Sequence, residues 1–196
     1  MKIRAVLALA AAALLSACGL NSVPTAEENA KAKWADVQAA YQRRADLIPN
    51  LVATVKGAAA SEGKILTDVT EARAKASSMQ VTADDLTDPA KVEQFQAAQQ
   101  QLSGSLSRLL VTVEAYPQLQ SQANFTALMS QLEGTENRIN IAIRDYNAAV
   151  QSYNTTIRTF PDSIGATVFY GAKPMTPFQA KAGADVAPTV SFGNTN

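Results

Sequence analysis

Histidine is absent from the 196 residues, and cysteine occurs once. The first absence excludes His-based catalytic triads, His metal sites and imidazole pH switches. The second excludes an intrachain disulfide. Aromatic residues make up only 6% of the chain, too few for a platform on which bases stack. Neither charge sign prevails, with 17 basic residues against 17 acidic. The basic patch that nucleic acid requires is therefore missing, and nucleic acid is not an expected partner. No apolar run approaches the roughly 17–25 residues that span a bilayer. What is present is a chain of 47% hydrophobic residues, long enough for one domain around one core.

The first residues read as an address. Lys2 and Arg4 precede an apolar run of 11 residues, Ala5 to Leu15, and "LSAC" (Leu15 to Cys18) follows. The run has the length of a signal-peptide core. The order of charge, apolar run and small residues before a cysteine resembles the lipobox of bacterial lipoproteins. That resemblance implies a leader at 1–17, cleavage before Cys18, and acylation (palmitate-type chains) of Cys18 as the new N-terminus. The competing reading is an incidental cysteine. Gly19 stands where an aspartate commonly retains lipoproteins at the inner membrane, so the expectation for a Gram-negative cell is the outer membrane. Loss of Lys2 and Arg4 leaves 15 basic and 17 acidic residues. Such a mildly acidic domain gains nothing from anionic headgroups, so several acyl chains must do the anchoring.

Residues 18–25 read as a lipidated tether, 26–161 as a helical bundle and 162–196 as an irregular tail. Thr25, with Glu28 three residues on, forms a capping box. From Trp34 the apolar positions alternate by three and four: Trp34, Val37, Tyr41, Ile48, Leu51, Val55, Ala58, then Ile65, Val69, Ala72, Ala76, Met79. Only Arg44 and Glu62 interrupt this seam. Asp88-Pro89 announces a second helix, with a cap residue before proline at the first helical position. Its seam is Val92, Phe95, Gln99, Leu102, Leu106, Leu109, Val113 and Tyr116, with Pro117 as the stop. A third helix spans about Asn124 to Phe160. One apolar row is Phe125, Leu132, Ile139, Tyr146, Tyr153, Phe160; the other is Met129, Glu136, Ile143, Val150, Ile157. So broad a stripe suits a helix with more than one neighbour. The tail lacks periodicity, though Phe169, Phe178 or Phe192 could pack. The fold class is all-α, an antiparallel up-and-down helical bundle. "KGAAASEGK" (Lys56 to Lys64) leaves a fork. Its unbroken register favours one long helix, whereas its two glycines permit a break, giving three or four helices.

"RRADLIPNLVATVKG" (43–57), "TEARAKA" (70–76), "LSRLLVTVEAYPQL" (106–119) and "GTENRINIAIRDYNAAVQSYNTTIRTFP" (134–161) resemble the LemA family of bacterial envelope proteins. The spaced Phe169, Pro174 and Phe178 and the ending "APTVSF" (187–192) extend the match. The resemblance implies an up-and-down four-helix bundle, and hence a turn near Gly57–Gly63. Many members are anchored by an N-terminal transmembrane helix, where this chain has a lipobox. The resemblance implies a fold and a membrane location but no reaction.

Arg44 falls in the seam between Tyr41 and Ile48, whereas Pro49 falls outward. Proline removes one helical hydrogen bond and frees the carbonyl of Ala45. With Pro49 on the convex, wetted side, water is expected to satisfy that carbonyl. Arg44 needs an acceptor if buried, and Glu136, the lone charge in its rows, needs a donor. The two are expected to form a buried ion pair across the bundle; the alternative has Arg44 snorkelling to solvent. Arg43, Asp46 and Asn50 face outward as a candidate partner surface. For catalysis the sequence offers Glu71, Glu114, Glu133 and Glu136 as acid–base candidates, and serines and threonines without a histidine. Ser61 and Lys64 lie one turn apart on a polar stretch. Asp84 and Asp85 form the one adjacent carboxylate pair and read as caps, so no metal or cofactor is expected. The "YN" pairs at 146 and 153 suit core packing, with a ligand or partner surface as the alternative. Three functional readings follow. The first is a non-enzymatic, lipid-anchored module that docks an envelope protein. The second is an unrecognised hydrolase or metal-dependent enzyme. The third is a binder of an apolar ligand within the bundle.

Overall fold

A computed structural model describes residues 21–179. The expected leader 1–17, Cys18, and the tail from residue 180, with "APTVSF" and Phe192, lie outside the described residues. Those described form six helices and no strand. Helix α1 is Ser22–Ala58; α2 is Gly63–Ser78; α3 is Pro89–Val113; α4 is the short Pro117–Gln120; α5 is Ala123–Thr156; α6 is Asp162–Val168. The four long helices run up and down. The fork near Gly57–Gly63 resolves as a break. Ala59 leaves helical geometry (φ −131°, ψ 58°), a 3-10 turn covers Ala60–Glu62, and α2 folds back on α1. The continuous heptad could not reveal this, because each half is amphipathic by itself and the turn happens to preserve the count.

Helix α1 starts one turn earlier than the Thr25 cap implies, so the stretch expected as tether is helical from Ser22. Pro24 permits this, since a first-turn residue has no use for its missing N–H. Val23, fully buried, fastens the turn to the core. Thr25 turns its hydroxyl back to the Asn21 carbonyl at 2.7 Å instead of capping. The cap on α3 forms as the sequence reads, with the Asp88 carboxylate accepting from the Ala90 N–H at 3.0 Å ahead of Pro89.

Helix α1 lies along α5 for most of its length and also touches α2, while α2 packs on α3. Helices α3 and α5 barely meet, which leaves a seam between them. The core has two halves. Towards the Ser22 end it is aromatic: Trp34 meets Phe95 at 5.3 Å, Tyr146 at 5.4 Å and Phe178 at 5.7 Å between ring centroids. The other half is aliphatic, built on Ile48, Leu51, Val69, Leu102, Leu109 and Leu119. Phe160 does not continue its row. Helix α5 ends at Thr156, and Phe160 is 81% exposed. Beyond it, as far as residue 179, the chain packs back on the bundle, with α6 followed by Gly171 at φ +54°, a left-handed turn that suits glycine. Met175 and Phe178 then return to the aromatic core, whereas Phe169 stays exposed.

Candidate functional site

Arg44 lies where the two core halves meet, between Tyr41 and Ile48. It is 1% exposed. A full charge at that depth is tolerated only with several acceptors, and it has them. Nη1 donates to Ser103 Oγ at 2.8 Å and to Glu136 Oε1 at 3.1 Å. Nη2 donates to the side-chain oxygen of Gln99 at 2.7 Å and to its carbonyl at 3.2 Å. The guanidinium carbon sits 5.0 Å from the Tyr41 ring centroid, a cation–π contact. Burial pushes the Tyr41 phenol up to about 12; Arg44 pulls the other way and Glu136 adds to the rise.

The structure thus brings Arg44 and Glu136 together, but the pair is one-sided. The Glu136 side chain is 45% exposed at the edge of the seam, so the expectation of two buried charges needs correcting. Glu136 can hydrate, whereas Arg44 cannot. The principal neutral partner is Gln99, whose amide also donates to the Ala76 carbonyl at 3.3 Å. One cue to it was present: Gln99 is a polar residue in an otherwise apolar seam.

The Ala45 carbonyl, freed by Pro49, corrects a second expectation. It is not left to water, because Arg73 Nε of α2 donates to it at 2.7 Å. Ala45 is buried, so the freed acceptor points into the protein even though Pro49 itself is exposed. This bond joins "RRADLIP" to "TEARAKA". The spacing of either stretch alone could not show it, since the link exists only once α2 folds back on α1. In the same two turns Arg43, Asp46 and Asn50 are exposed, with Asp46 taking a 2.7 Å bond from Gln42 on its own helix.

The seam between α3 and α5 holds two cavities. One, of about 220 Å³, lies beside Arg44 and is lined by Gln96, Gln100, Asn140 and Gln179 among others. Arg44 Nε and Gln96 Nε2 are buried there without a partner among the described residues. Two orphan donors in a polar space of that size suit ordered water or an acceptor group. The other is an open groove of about 670 Å³ lined by Leu106, Leu110, Met129 and Leu132, with Glu133 and Glu136 at its edge.

The "YN" pairs divide their labour. Both phenols are core; Tyr146 Oη donates to the Thr176 carbonyl at 2.8 Å, and burial raises its pKa. Both amides grip the returning chain from two sides. Asn147 accepts from the Phe178 N–H at 2.8 Å and donates to its carbonyl at 3.0 Å. Asn154 does the same to Met175, both at 2.9 Å.

Of the acid–base candidates, Glu133 and Glu136 share the groove's edge, one turn apart on α5, whereas Glu71 and Glu114 are exposed on other elements away from it. Ser61 Oγ lies 3.1 Å from Tyr116 Oη, which donates to Glu62 at 2.8 Å, so Ser61 belongs to the turn. Asp85 accepts from the Thr82 amide and hydroxyl and from Lys91; led by the Lys91 bond, these hold its carboxyl at about 2. Among the described residues no three potential ligands converge as a metal would need, and no helix is long and apolar enough to cross a membrane.

The fold is that of a long-helix bundle with a buried arginine and an irregular returning segment gripped by two asparagine amides. The sequence model of the LemA family matches residues 33–192, and the chain belongs to that family. Among curated relatives it is 28% identical over 181 residues to magnetosome protein MamQ 1 of Paramagnetospirillum magneticum, covering 84% of this chain and 66% of the relative. It is 26% identical to magnetosome protein MamQ of Magnetospirillum gryphiswaldense over the same shares. Against Protein LemA of Metamycoplasma hominis it is 27% identical over 124 residues, covering 63% of this chain and 52% of that one. The chain thus spans just under two thirds of the length of the magnetosome proteins it matches.

Proposed function

We propose that this chain is a lipid-anchored, non-enzymatic envelope protein of the LemA family, held at the outer membrane through Cys18 and docking a protein partner through its bundle. One observation carries the docking part. Within Arg43–Asn50, Arg44 and the Ala45 carbonyl are consumed by the fold, whereas Arg43, Asp46 and Asn50 face solvent and make no bond to another helix among the described residues. Polar side chains concentrated on two turns, with no task inside the molecule, suit a partner surface. The test places a photo-crosslinker at Arg43 or Asn50 in intact envelopes, with Gln101 on another helix as control. Discrete protein adducts at 43 and 50, lost on Asp46→Arg without a fall in thermal stability, are expected. Adducts no different from those at 101 would refute docking there.

The second reading, an apolar ligand, has the α3/α5 groove in its favour. Displacement of a fluorescent fatty acid by mutations at Leu106 or Met129 would support it; no binding would end it.

A further inference from the structure

Helix α6 wears its hydrophobicity inside out. Its small residues, Gly165 and Ala166, are buried against the bundle end, while Ile164 and Val168 are 55% and 69% exposed. Phe160 just before it and Phe169 and Tyr170 just after it are exposed as well. Five large apolar or aromatic side chains within eleven residues form a patch that a surface facing only water does not favour. Among the described residues, most other apolar side chains of comparable size are at least partly buried; Val111 and Ile141 are the other two exposed ones there.

The patch lies at a particular place. Ser22, the first residue of α1, donates to Asp162 of α6 at 2.7 Å, and α1 and α6 pack together. The preceding stretch is therefore joined to the bundle beside the start of α6. That stretch contains both the apolar run Ala5–Leu15 and Cys18. Four residues of extended chain reach at most about 14 Å, so acyl chains on Cys18 would hold α6 within that distance of the headgroups. Phe and Tyr side chains, with Arg158 and Lys173 exposed on either side of them in sequence, suit the boundary between acyl chains and headgroups.

From this placement we infer that α6 and its flanking turns form a bilayer-docking face. Phe160, Ile164, Val168 and Phe169 dip into the membrane interface, and the bundle stands on the membrane by its Ser22 end. Helix α1 then carries the turn at Ala60–Glu62 roughly 55 Å outward, at 1.5 Å per residue. The inference rests on the anchoring proposed above and adds an orientation, which the lipid on Cys18 alone does not specify.

The experiment uses the full chain reconstituted in phosphatidylcholine vesicles, with and without bromine on the acyl chains. Flotation reports anchoring. Phe169→Trp reports docking, with the parent's buried Trp34 as background and Tyr116→Trp as the far-end control; Phe160→Trp is a second reporter on the same face. Flotation with at least twofold quenching at 169 and 160, and none above background at 116, is expected. Flotation with 169 and 160 at background would overturn docking and leave the anchor standing. Equal quenching at 169 and 116 would lay the bundle flat and overturn the upright orientation. Failure to float would remove the anchor, and docking with it.

Discussion

Removing the Arg73 guanidinium should cost stability only while Pro49 is present. Pro49 cannot donate to the Ala45 carbonyl, and Arg73 Nε does so instead at 2.7 Å in a part-buried setting. A hydrogen bond from a charged group contributes roughly 1.5–3 kcal/mol, and an unsatisfied buried acceptor costs about 1–3 kcal/mol; partial exposure of this bond places its loss in the lower part of that range. Arg73→Met should therefore destabilise by about 2 kcal/mol. Pro49→Ala supplies an N–H four residues after Ala45 and restores the helical bond, while recovering part of the ~3 kcal/mol that proline costs within a helix. In that background the carbonyl has its own donor, and Arg73→Met should cost less than about 1 kcal/mol. The coupling is then about 1–2 kcal/mol, measurable as a double-mutant cycle in urea on the chain from residue 19 onward. Additivity within ~0.5 kcal/mol would refute the argument, and so would an Arg73→Met cost unchanged by Pro49→Ala.

The arginine layer should respond asymmetrically. Gln99→Leu strips a buried bond from Arg44 and should cost about 2–3 kcal/mol. Glu136→Gln, at a half-exposed site, should cost about 1 kcal/mol or less; the reverse order in urea melts would contradict the one-sided pair. Tyr41 has its folded pKa raised, to about 12, so its contribution is whole below about pH 10 and declines as pH rises through 12; Tyr41→Phe should flatten that alkaline limb. Asp85 has its folded pKa lowered, to about 2, so its contribution is whole above about pH 4 and fades as pH falls towards 2. Asp85→Asn should remove that part of the acid limb, as read by circular dichroism. Chelator should leave the melting temperature unchanged; a drop of several degrees reversed by one divalent ion would overturn metal independence.

Periodicity in the sequence located the helices well. Val92 to Val113 buries at every seam position named from the heptad, and Asp88-Pro89 caps as read. Boundaries suffered where a local signal competed with packing: Thr25 offers a capping box, but burial of Val23 wins by starting the helix earlier. Arg44 and Glu136 stood out as lone charges in apolar rows. Their unequal burial depends on how loosely α3 meets α5, and no spacing encodes that. Arg73 and the two asparagines were illegible for another reason. Each acts on backbone far along the chain: Arg73 at Ala45, Asn147 at Phe178, Asn154 at Met175. A side chain that serves a distant carbonyl leaves no pattern in its own neighbourhood. The patch around α6 escaped because single exposed apolar residues are ordinary, and only the fold gathers these at the end of the bundle where α1 begins.

The proposed function depends on a lipid at Cys18 that ties this bundle to a membrane. Intact mass spectrometry of the chain extracted from envelopes is the decisive test. The prediction is a chain beginning at Cys18 and heavier than its peptide by the mass of a diacylglyceryl group or more, with Cys18→Ser abolishing both cleavage and added mass. A chain that retains Met1, or that begins elsewhere with an unmodified Cys18, would contradict it.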